Sequence, residues 1–583
     1  MTTGDQDAPA PGEDSAPRPS PPERQAEDTE NPEADADADE QAGASTESAI
    51  EQPLGFKDEV HQPLLGGRAA YGLAFLSGFL YFVSFPGVDV WPLSFVTLAP
   101  LIVALRGQRP RRAAGLGWLA GFTMTMFGFY WLLPMLEHFS GFSAPLCLLF
   151  MAILCGYQAG RIGLMGWLYA RAVGRGWPAG PVFALAFIAS ELVFPLLFTW
   201  YFGATVHQVP ALVQVAELGG PLAVALPLVA ANLAIAELFI ARLEKRRVRW
   251  KVAAALAAVP VLAGVYGAIR IPMVDAAVAA APKARVGVVQ ANMSLMAKRE
   301  DASEGLRRHM ALTRELEKEG KLDLVVWSET SVMRAVNEKL APVLYRMQFT
   351  RRLGVPAIFG GVLVREVNDA RHYVLFNSAL ASDKSGDIVG RYDKQFLLAF
   401  GEYLPFGGVF PKLYEWSPNS GRFTPGKSFK PLPVDGHEAG VFICYEDISP
   451  EFVNKIVDAG DPDLLVNMTN DAWFGDSTEP WIHLALAEFR AVEHRRYLVR
   501  STNSGVSAFV DPVGRVVAHT QTFKEQALAH QIAWLEATTP YELYGDLPWW
   551  LATAVIALGA FVRRPGRKAK GRPADPRPDA TKA

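Results

Sequence analysis

Apolar stretches of about the length a bilayer requires recur along the first half of this chain, and the basic residues between them fall only in every second gap. Seven such stretches run at roughly 69–86, 90–106, 114–134, 143–170, 180–200, 219–242 and 251–270, and an eighth at roughly 547–563. The first two are short and read as a hairpin around Pro86; the eighth opens with Pro548-Trp549-Trp550, an interfacial aromatic anchor. The pattern confines much of the chain to membrane helices and leaves one long polar insert, about 272–544, between the seventh and eighth. Half of the residues are hydrophobic, which fits a membrane part joined to a soluble part.

Charge placement predicts the topology. Arg106 to Arg112 follows the second span, Arg171 to Arg175 the fourth, Arg242 to Lys251 the sixth and Arg563 to Arg572 the eighth. The alternate loops, Leu136 to Ser143 and Gln208 to Gly220, are nearly free of Lys and Arg. Positive residues stay on the cytoplasmic side, so both termini are expected there and the 272–544 insert on the outer face. The expected organisation is a disordered acidic tail over 1–62, spans one to seven over 65–271, the outer domain over 272–544, span eight over 545–564 and a basic tail over 565–583. The first tail is rich in Asp, Glu, Ala, Pro and Ser without apolar periodicity and cannot offset its chain entropy; it lacks the short apolar core of a signal peptide. Glu191 lies inside span five, either lining a lipid-access cavity or hydrogen-bonded between helices. Net charge is −4 with no basic stripe, which argues against a nucleic-acid partner.

The insert alternates strand and helix signals. Strands are expected at Arg285–Gln290, Leu324–Trp327, Ala357–Gly360, Leu375–Ala381, Gly440–Ile443, Leu464–Asn467, Gly505–Val510 and Val516–His519. Helices are expected at Asp301–Glu319, Glu338–Leu353 and Pro480–Arg496. Alternation of this kind implies an α/β layered domain.

Three polar residues stand out there. Glu329 and Cys444 follow apolar, β-branched runs that read as buried strands, and Lys394 follows Arg-Tyr-Asp. A carboxylate, a cation and a thiol delivered to strand ends suit a base, a charge stabiliser and a nucleophile. Cys444 is the only one of the three cysteines outside the spans, and its neighbours Tyr445, Glu446 and Asp447 are polar. A lone cysteine also occurs as an inert buried hydrophobe, and a lysine as a surface cation. The histidines of the insert sit in polar or helical surroundings, so a Cys-His dyad is the weaker reading. No Cys-x-x-Cys or His-x-x-x-His spacing occurs, and neither a metal nor a cofactor is expected.

Five longer motifs carry a resemblance: Val-Val-Trp-Ser-Glu-Thr (325–330), Tyr-Asp-Lys-Gln-Phe-Leu-Leu-Ala-Phe-Gly-Glu-Tyr-Leu-Pro-Phe (392–406), Ile-Cys-Tyr-Glu (443–446), Asn-Asp-Ala-Trp-Phe-Gly-Asp-Ser (470–477) and Arg-Ser-Thr-Asn-Ser-Gly (500–505). In this order they resemble the nitrilase superfamily and, within it, the bacterial apolipoprotein N-acyltransferases, over about residues 65–565. The seven-plus-one layout is similar too. The resemblance implies an αββα sandwich on the periplasmic face of the inner membrane, with Cys444 as nucleophile, Glu329 as general base and Lys394 as oxyanion-side cation. Glu402 matches a second active-site glutamate, and Tyr445 and Glu446 match residues beside the nucleophile. The chain departs from the family at Lys298-Arg299-Glu300, where a tryptophan is often found.

The implied reaction is a two-step acyl transfer in a monomeric enzyme. An acyl group passes from a phospholipid, phosphatidylethanolamine being the expected donor, to Cys444. It then passes to the α-amine of a lipoprotein's N-terminal diacylglyceryl-cysteine. The aromatic, Gly-rich stretch Phe396–Tyr414, together with Trp473-Phe474-Gly475 and Trp481, is expected to form mobile lids that contact lipid. Two rivals remain: a membrane-anchored amidohydrolase of the nitrilase type, with water as acceptor, and a transporter carrying an outer binding module. Few ionisable residues in the spans and no evident inverted repeat argue against the transporter.

Overall fold

Six helices of the first half begin within a few residues of the start of an apolar stretch, and two, Ala99–Leu105 and Leu132–Ser140, begin inside one. The computed structural model describes residues 62–294, 301–367, 369–399, 401–404, 406–416 and 421–564, all within one compact unit. The expected acidic tail, apart from its last residue, the departure at 298–300 and the basic tail 565–583 lie outside the described residues. Helices occupy Gly67–Ser84, Ala99–Leu105, Pro110–Gly128, Leu132–Ser140, Ala144–Gly174, Ala179–Val193, Ala216–Leu243, Trp250–Ala280 and, after the insert, Leu547–Phe561. Three of them, Ala144–Gly174, Ala216–Leu243 and Trp250–Ala280, are each long and apolar enough to cross a membrane; a fourth span results if a bent pair counts as one.

That pair corrects the third expected span. Pro110–Gly128 does not run on to residue 134: the chain breaks at Phe129–Trp131 and the following helix is bent by 61°. The second expected span is a 3₁₀ turn, Trp91–Phe95, followed by Ala99–Leu105. The start of that short helix is tied from another element, because Asn232 Oδ1 accepts from Leu98 N at 2.7 Å and Ala99 N at 3.0 Å. Small residues let Pro110–Gly128 and Ala144–Gly174 touch backbone to backbone. A Cβ on Gly117 would stand 2.3 Å from Ile162 O, and one on Gly166 would stand 2.4 Å from Ala113 O. Glu191 takes the hydrogen-bonded alternative: it pairs with Arg161 at 2.5 Å and accepts from Phe202 N at 2.9 Å. Trp250–Ala280 has 17% of its apolar window buried, against 72% for Ala216–Leu243, which makes the former peripheral. Val261, Leu262 and Ile269 on it are exposed, an apolar surface suited to lipid.

The insert folds into two sheets. In the first the order is β13 (Gln526–Ala533), β1 (Lys283–Gln290), β2 (Leu324–Trp327), β4 (Ala357–Val367), β5 (Asp369–Ser382) and β6 (Ile388–Asp393), with β3 (Val332–Asn337) also on β4. In the second it is β12 (Val516–His519), β11 (Ala508–Val510), β10 (Leu498–Thr502), β9 (Leu464–Thr469), β8 (His437–Ile443) and β7 (Leu432–Val434). The central strands β1, β2 and β4, and likewise β8, β9 and β10, are parallel; their middle residues are buried on both faces and mostly apolar, β2 (Leu-Val-Val-Trp) entirely so.

Alternation along each strand sorts the layers. Val326 and Ile358 meet Val441, Ile443, Val466 and Met468 between the sheets. Val325 and Trp327 face outward onto the helices Ala302–Glu319 and Ala341–Gln348. Phe442 and Leu465 face outward onto Pro450–Asp458 and Glu479–His494. The result is the αββα sandwich that the resemblance implied.

Two expected elements are shorter than the sequence suggests. The helix expected from Glu338 begins at Ala341 and gives way to a 3₁₀ turn at Thr350–Arg352. Glu338 N donates instead to Val364 O at 2.9 Å, extending the β3–β4 pairing, and Pro342 takes a place in the first helical turn. The strand expected from Gly505 begins at Ala508, because the loop before it presses on Asp471; a Cβ on Gly505 would stand 1.9 Å from Asp471 Oδ2. Strands β3, β6, β7, β10 and β13 were not foreseen.

Candidate active site

Each of the three singled-out residues lies just beyond the C-terminal end of a strand. Glu329 comes two residues after β2, Lys394 directly after β6, and Cys444 directly after β8, opening a 3₁₀ turn, Cys444–Ile448. Cys444 has φ +56°, a left-handed conformation that costs a non-Gly residue roughly 1–2 kcal/mol and turns the chain sharply off the strand. All three are buried, at 7%, 2% and 5% exposure. Two come from one sheet and the third from the other, so the site sits where the two sheets' strand ends meet.

The polar contacts are dense. Lys394 Nζ lies 3.2 Å from Glu329 Oε1 and 2.8 Å from Glu402 Oε2. Asn377 on β5 donates to the same two carboxylates, at 2.7 Å to Glu329 and 3.0 Å to Glu402. Leu398 N closes the group on Glu402 Oε2 at 2.9 Å. Burial works against the Lys394 charge, but Glu329 and Glu402 outweigh it and hold its pKa well above the usual lysine value. Burial pushes Glu329 up despite the lysine beside it, which makes its carboxylate a better proton acceptor. The Cys444 thiol is also pushed well up by burial, with Lys394 pulling the other way. Forming the thiolate therefore requires a nearby base.

Glu446 and Tyr445 serve the frame around this group. The Glu446 carboxylate accepts from Ile443 N at 2.7 Å, Gln395 N at 2.6 Å, Phe396 N at 3.0 Å and Tyr392 OH at 2.8 Å. It thus ties the turn of Cys444 to the segment that follows Lys394. Burial raises its pKa to about 7 against the pull of those N–H groups. Tyr445 OH donates to Glu479, and its ring stacks on His483 at 4.5 Å.

His483 was set aside on sequence and proves to be fully buried. Its ring nitrogens lie 2.8 Å from Asp447 Oδ1 and 3.2 Å from Asp471 Oδ1. Arg500 reaches Asp447 at 2.5 Å and Asp471 at 3.3 Å. Burial and Arg500 oppose its protonation, yet the two aspartates raise His483 to about 9. Asp471, Glu479 and His483 bring ligand-type atoms within 4.8 Å of one another. The Arg500 guanidinium already supplies the positive charge those carboxylates need, and both His483 nitrogens are engaged. The donor set is therefore that of an ion-pair network rather than a metal cage. Asn377, Asp447 and His483 were legible only as members of a strand, a polar run and a helix.

The apolar helices reach the site directly. Trp131, at the 61° bend, packs edge-on against Phe198 and Phe474, both at 5.2 Å. Tyr445 meets Phe474 at 5.7 Å and Phe198 at 6.1 Å. Phe474 is 3% exposed, so it is part of this packing rather than of a mobile lid. Along Phe396–Tyr414 the picture differs: Phe396, Phe406, Val409 and Phe410 are all exposed. Trp481 is partly exposed, edge-on to His519.

Comparison with known proteins agrees with both halves. Residues 77–234 match the apolipoprotein N-acyltransferase N-terminal domain and residues 285–538 match the carbon-nitrogen hydrolase family. An apolipoprotein N-acyltransferase of Azotobacter vinelandii is 33% identical over 86% of this chain and 96% of its own length. That of Geobacter metallireducens is 29% identical over 85% of this chain and 96% of its own. A carbon-nitrogen hydrolase structure from Helicobacter pylori overlaps 43% of this chain and 90% of its own, with a TM-score of 0.33 and 17% identity. Matched from its apolar helices through its two sheets, and aligned with such relatives over nearly their full length, the chain belongs to the apolipoprotein N-acyltransferase family.

Proposed function

We propose that this protein transfers an acyl chain from a phospholipid to the N-terminal α-amine of diacylated apolipoproteins, through a thioester on Cys444. The observation that carries the reading is the buried group itself: a strand-end thiol in a left-handed turn, with Glu329, Lys394 and Glu402 linked at 3.2 and 2.8 Å across from it.

In the first step the Glu329 carboxylate takes the Cys444 proton and the thiolate attacks the ester carbonyl of the donor. Lys394 and backbone N–H groups around Tyr445 stabilise the oxyanion. The C–O bond breaks, Glu329 returns its proton to the departing lysophospholipid oxygen, and a thioester remains. In the second step the neutral amine of the lipoprotein attacks that thioester. Glu329 takes a proton from nitrogen, the C–S bond breaks to give the amide, and the same proton returns to sulfur. Glu402 shares Lys394 with Glu329 and keeps the ammonium charged through both steps; Glu446 and Tyr445 hold the turn. No metal or cofactor enters.

The topology belongs to the same proposal: seven spans before and one after a catalytic domain over 272–544, both termini in the cytoplasm, and the site at the periplasmic face of the inner membrane. Both substrates are lipid-anchored. The packing of Trp131 and Phe198 against Tyr445 and Phe474, with exposed aromatics at 396–410 just after Lys394 in the chain, supports a site fed from the bilayer. We take the working unit to be a monomer.

Intact mass of the purified protein with phosphatidylethanolamine, beside Cys444→Ala, tests the reading. An acyl adduct on the parent only, discharged by a diacylated lipopeptide, is expected. An adduct that water clears and the lipopeptide does not capture would instead identify an amidohydrolase-type enzyme. No adduct at all would end the thioester mechanism.

A further inference from the structure

Parallel pairing of β8 with β9 sets Ile443 opposite Met468. The next residues along are therefore neighbours: Cys444, just beyond β8, and Thr469, the last residue of β9. Thr469 is fully buried. Its main chain is held by Asn503 N, which donates to Thr469 O at 3.1 Å. The Cys444 main chain is held by Asn467 Nδ2, which donates to Cys444 O at 3.2 Å. The Thr469 hydroxyl donates to Asp471 Oδ1 at a long 3.3 Å. The Cys444 sulfur, one position beyond the Ile443–Met468 pair, is the alternative acceptor, and the hydroxyl favours its charged form.

Resting on the reading of Cys444 as nucleophile, we infer that Thr469 is a further participant in the reaction, turning its hydroxyl from Asp471 to the Cys444 sulfur as the thiolate forms. A hydroxyl has one proton to donate. While the sulfur is a thiol, the carboxylate is the stronger acceptor. Once Glu329 has removed the thiol proton, the sulfur carries the charge and becomes the better one. Releasing Asp471 leaves no unpaired charge, because Oδ1 also faces His483 at 3.2 Å and Oδ2 faces Arg500 at 3.3 Å. The ion-pair network behind the nucleophile therefore has a definite task, which is to keep Asp471 satisfied when the hydroxyl leaves it. No atom is transferred; the hydroxyl keeps its proton throughout.

The ionisable groups around the sulfur come from every neighbouring element: Glu329 beyond β2, Lys394 beyond β6, Tyr445 next in the turn, Asp471 beyond β9 and Arg500 on β10. Replacing Thr469 by valine changes none of these charges, so a shift in thiol titration reports on the hydroxyl alone.

The experiment uses the full chain in donor-free detergent micelles, with Thr469→Val and Thr469→Ser, and phosphatidylethanolamine is added only to start adduct formation. Three quantities are read: the pH profile of Cys444 alkylation by iodoacetamide, followed on the Cys444 peptide; the single-turnover rate of acyl-adduct formation; and the thermal midpoint. Valine is expected to move the alkylation profile up by about one pH unit and slow adduct formation about tenfold, with the midpoint little changed. Serine is expected to restore both. A valine variant with the parent's profile and rate would overturn the inference, and so would a serine variant as impaired as valine, which would make the effect one of packing. If valine does not fold, Thr469→Ala is read on the same scale. Should Cys444→Ala still gain an acyl group, the nucleophile assignment fails, while the alkylation profile still decides whether Thr469 supports the thiolate.

Discussion

The hydroxyl of Tyr201, in the connection that follows the apolar helix Ala179–Val193, donates to the carbonyl of Ile448 over 2.7 Å. Ile448 closes the short turn that Cys444 opens, so a residue from the membrane half pins the Cys444 turn from behind. Tyr201→Phe removes the donor and leaves a buried carbonyl without it. We expect a loss of about 1–3 kcal/mol in stability and slower adduct formation, read by thermal unfolding and single-turnover mass measurement. A variant as stable and as fast as the parent would mean the turn is held without this bond.

Lys394→Met leaves Glu329 and Glu402 buried together with no cation between them. Removing one partner of a buried ionic group costs about 3–5 kcal/mol, and losing an oxyanion stabiliser lowers a rate by about 10²–10³. Acyl transfer to a lipopeptide should fall by at least that factor, with a lower thermal midpoint. A rate within a few-fold of the parent would remove Lys394 from the chemistry.

Phe474 and Phe410 should respond in opposite ways. Phe474 is buried against Trp131 and Tyr445, so Phe474→Ala should cost about 3–5 kcal/mol. Phe410 is 60% exposed, so Phe410→Ala should leave stability within about 0.5 kcal/mol. If the exposed stretch handles lipid, Phe410→Ala should slow transfer from a membrane-borne donor more than from a soluble short-chain ester. Equal slowing with both donors would assign the stretch no lipid contact.

His207 supplies a pH dependence. Its ring nitrogens lie 3.0 Å from Asp89 and 3.1 Å from Glu488. Burial opposes the charge, but Glu488 and Asp89 raise the pKa from 6.5 to about 10. With the folded value above the unfolded one, the contribution to stability is complete below pH 6.5 and is lost as the pH rises through about 10. The thermal midpoint should therefore fall over that range, and His207→Asn should flatten the fall. Parallel curves for parent and variant would show that the bridge carries no proton-linked energy.

Much of this architecture is legible in local sequence because the signals are local. Leu324–Trp327 and Val516–His519 are strands over the expected residues, and the helix at 302–319 begins within a residue of its expected start. Strands such as β6, whose Ile-Val-Gly-Arg-Tyr-Asp has neither an apolar run nor clean alternation, carry no such signal. Its strand character comes from pairing with β5. The bend at Phe129–Trp131 did leave a mark: Pro134, in the first turn of the helix that follows, has no N–H to donate to a carbonyl one turn earlier and so favours a helix start there over a continuous span.

By itself the sequence pointed to the apolar helices, the α/β insert and the candidates Glu329, Lys394 and Cys444, because hydrophobic period is written along the chain, Glu329 and Cys444 follow apolar strand-like runs, and Lys394 lies in a long motif. Only the tertiary structure decided which groups surround them. Asn377 from β5, Thr469 from β9, Asp471 just after it and His483 from the helix Glu479–His494 gather around the site, and Trp131 and Tyr201 reach it from the membrane half. Their roles depend on burial and on who sits opposite whom across two sheets. Those are properties of chain crossings, and no single stretch of residues encodes them.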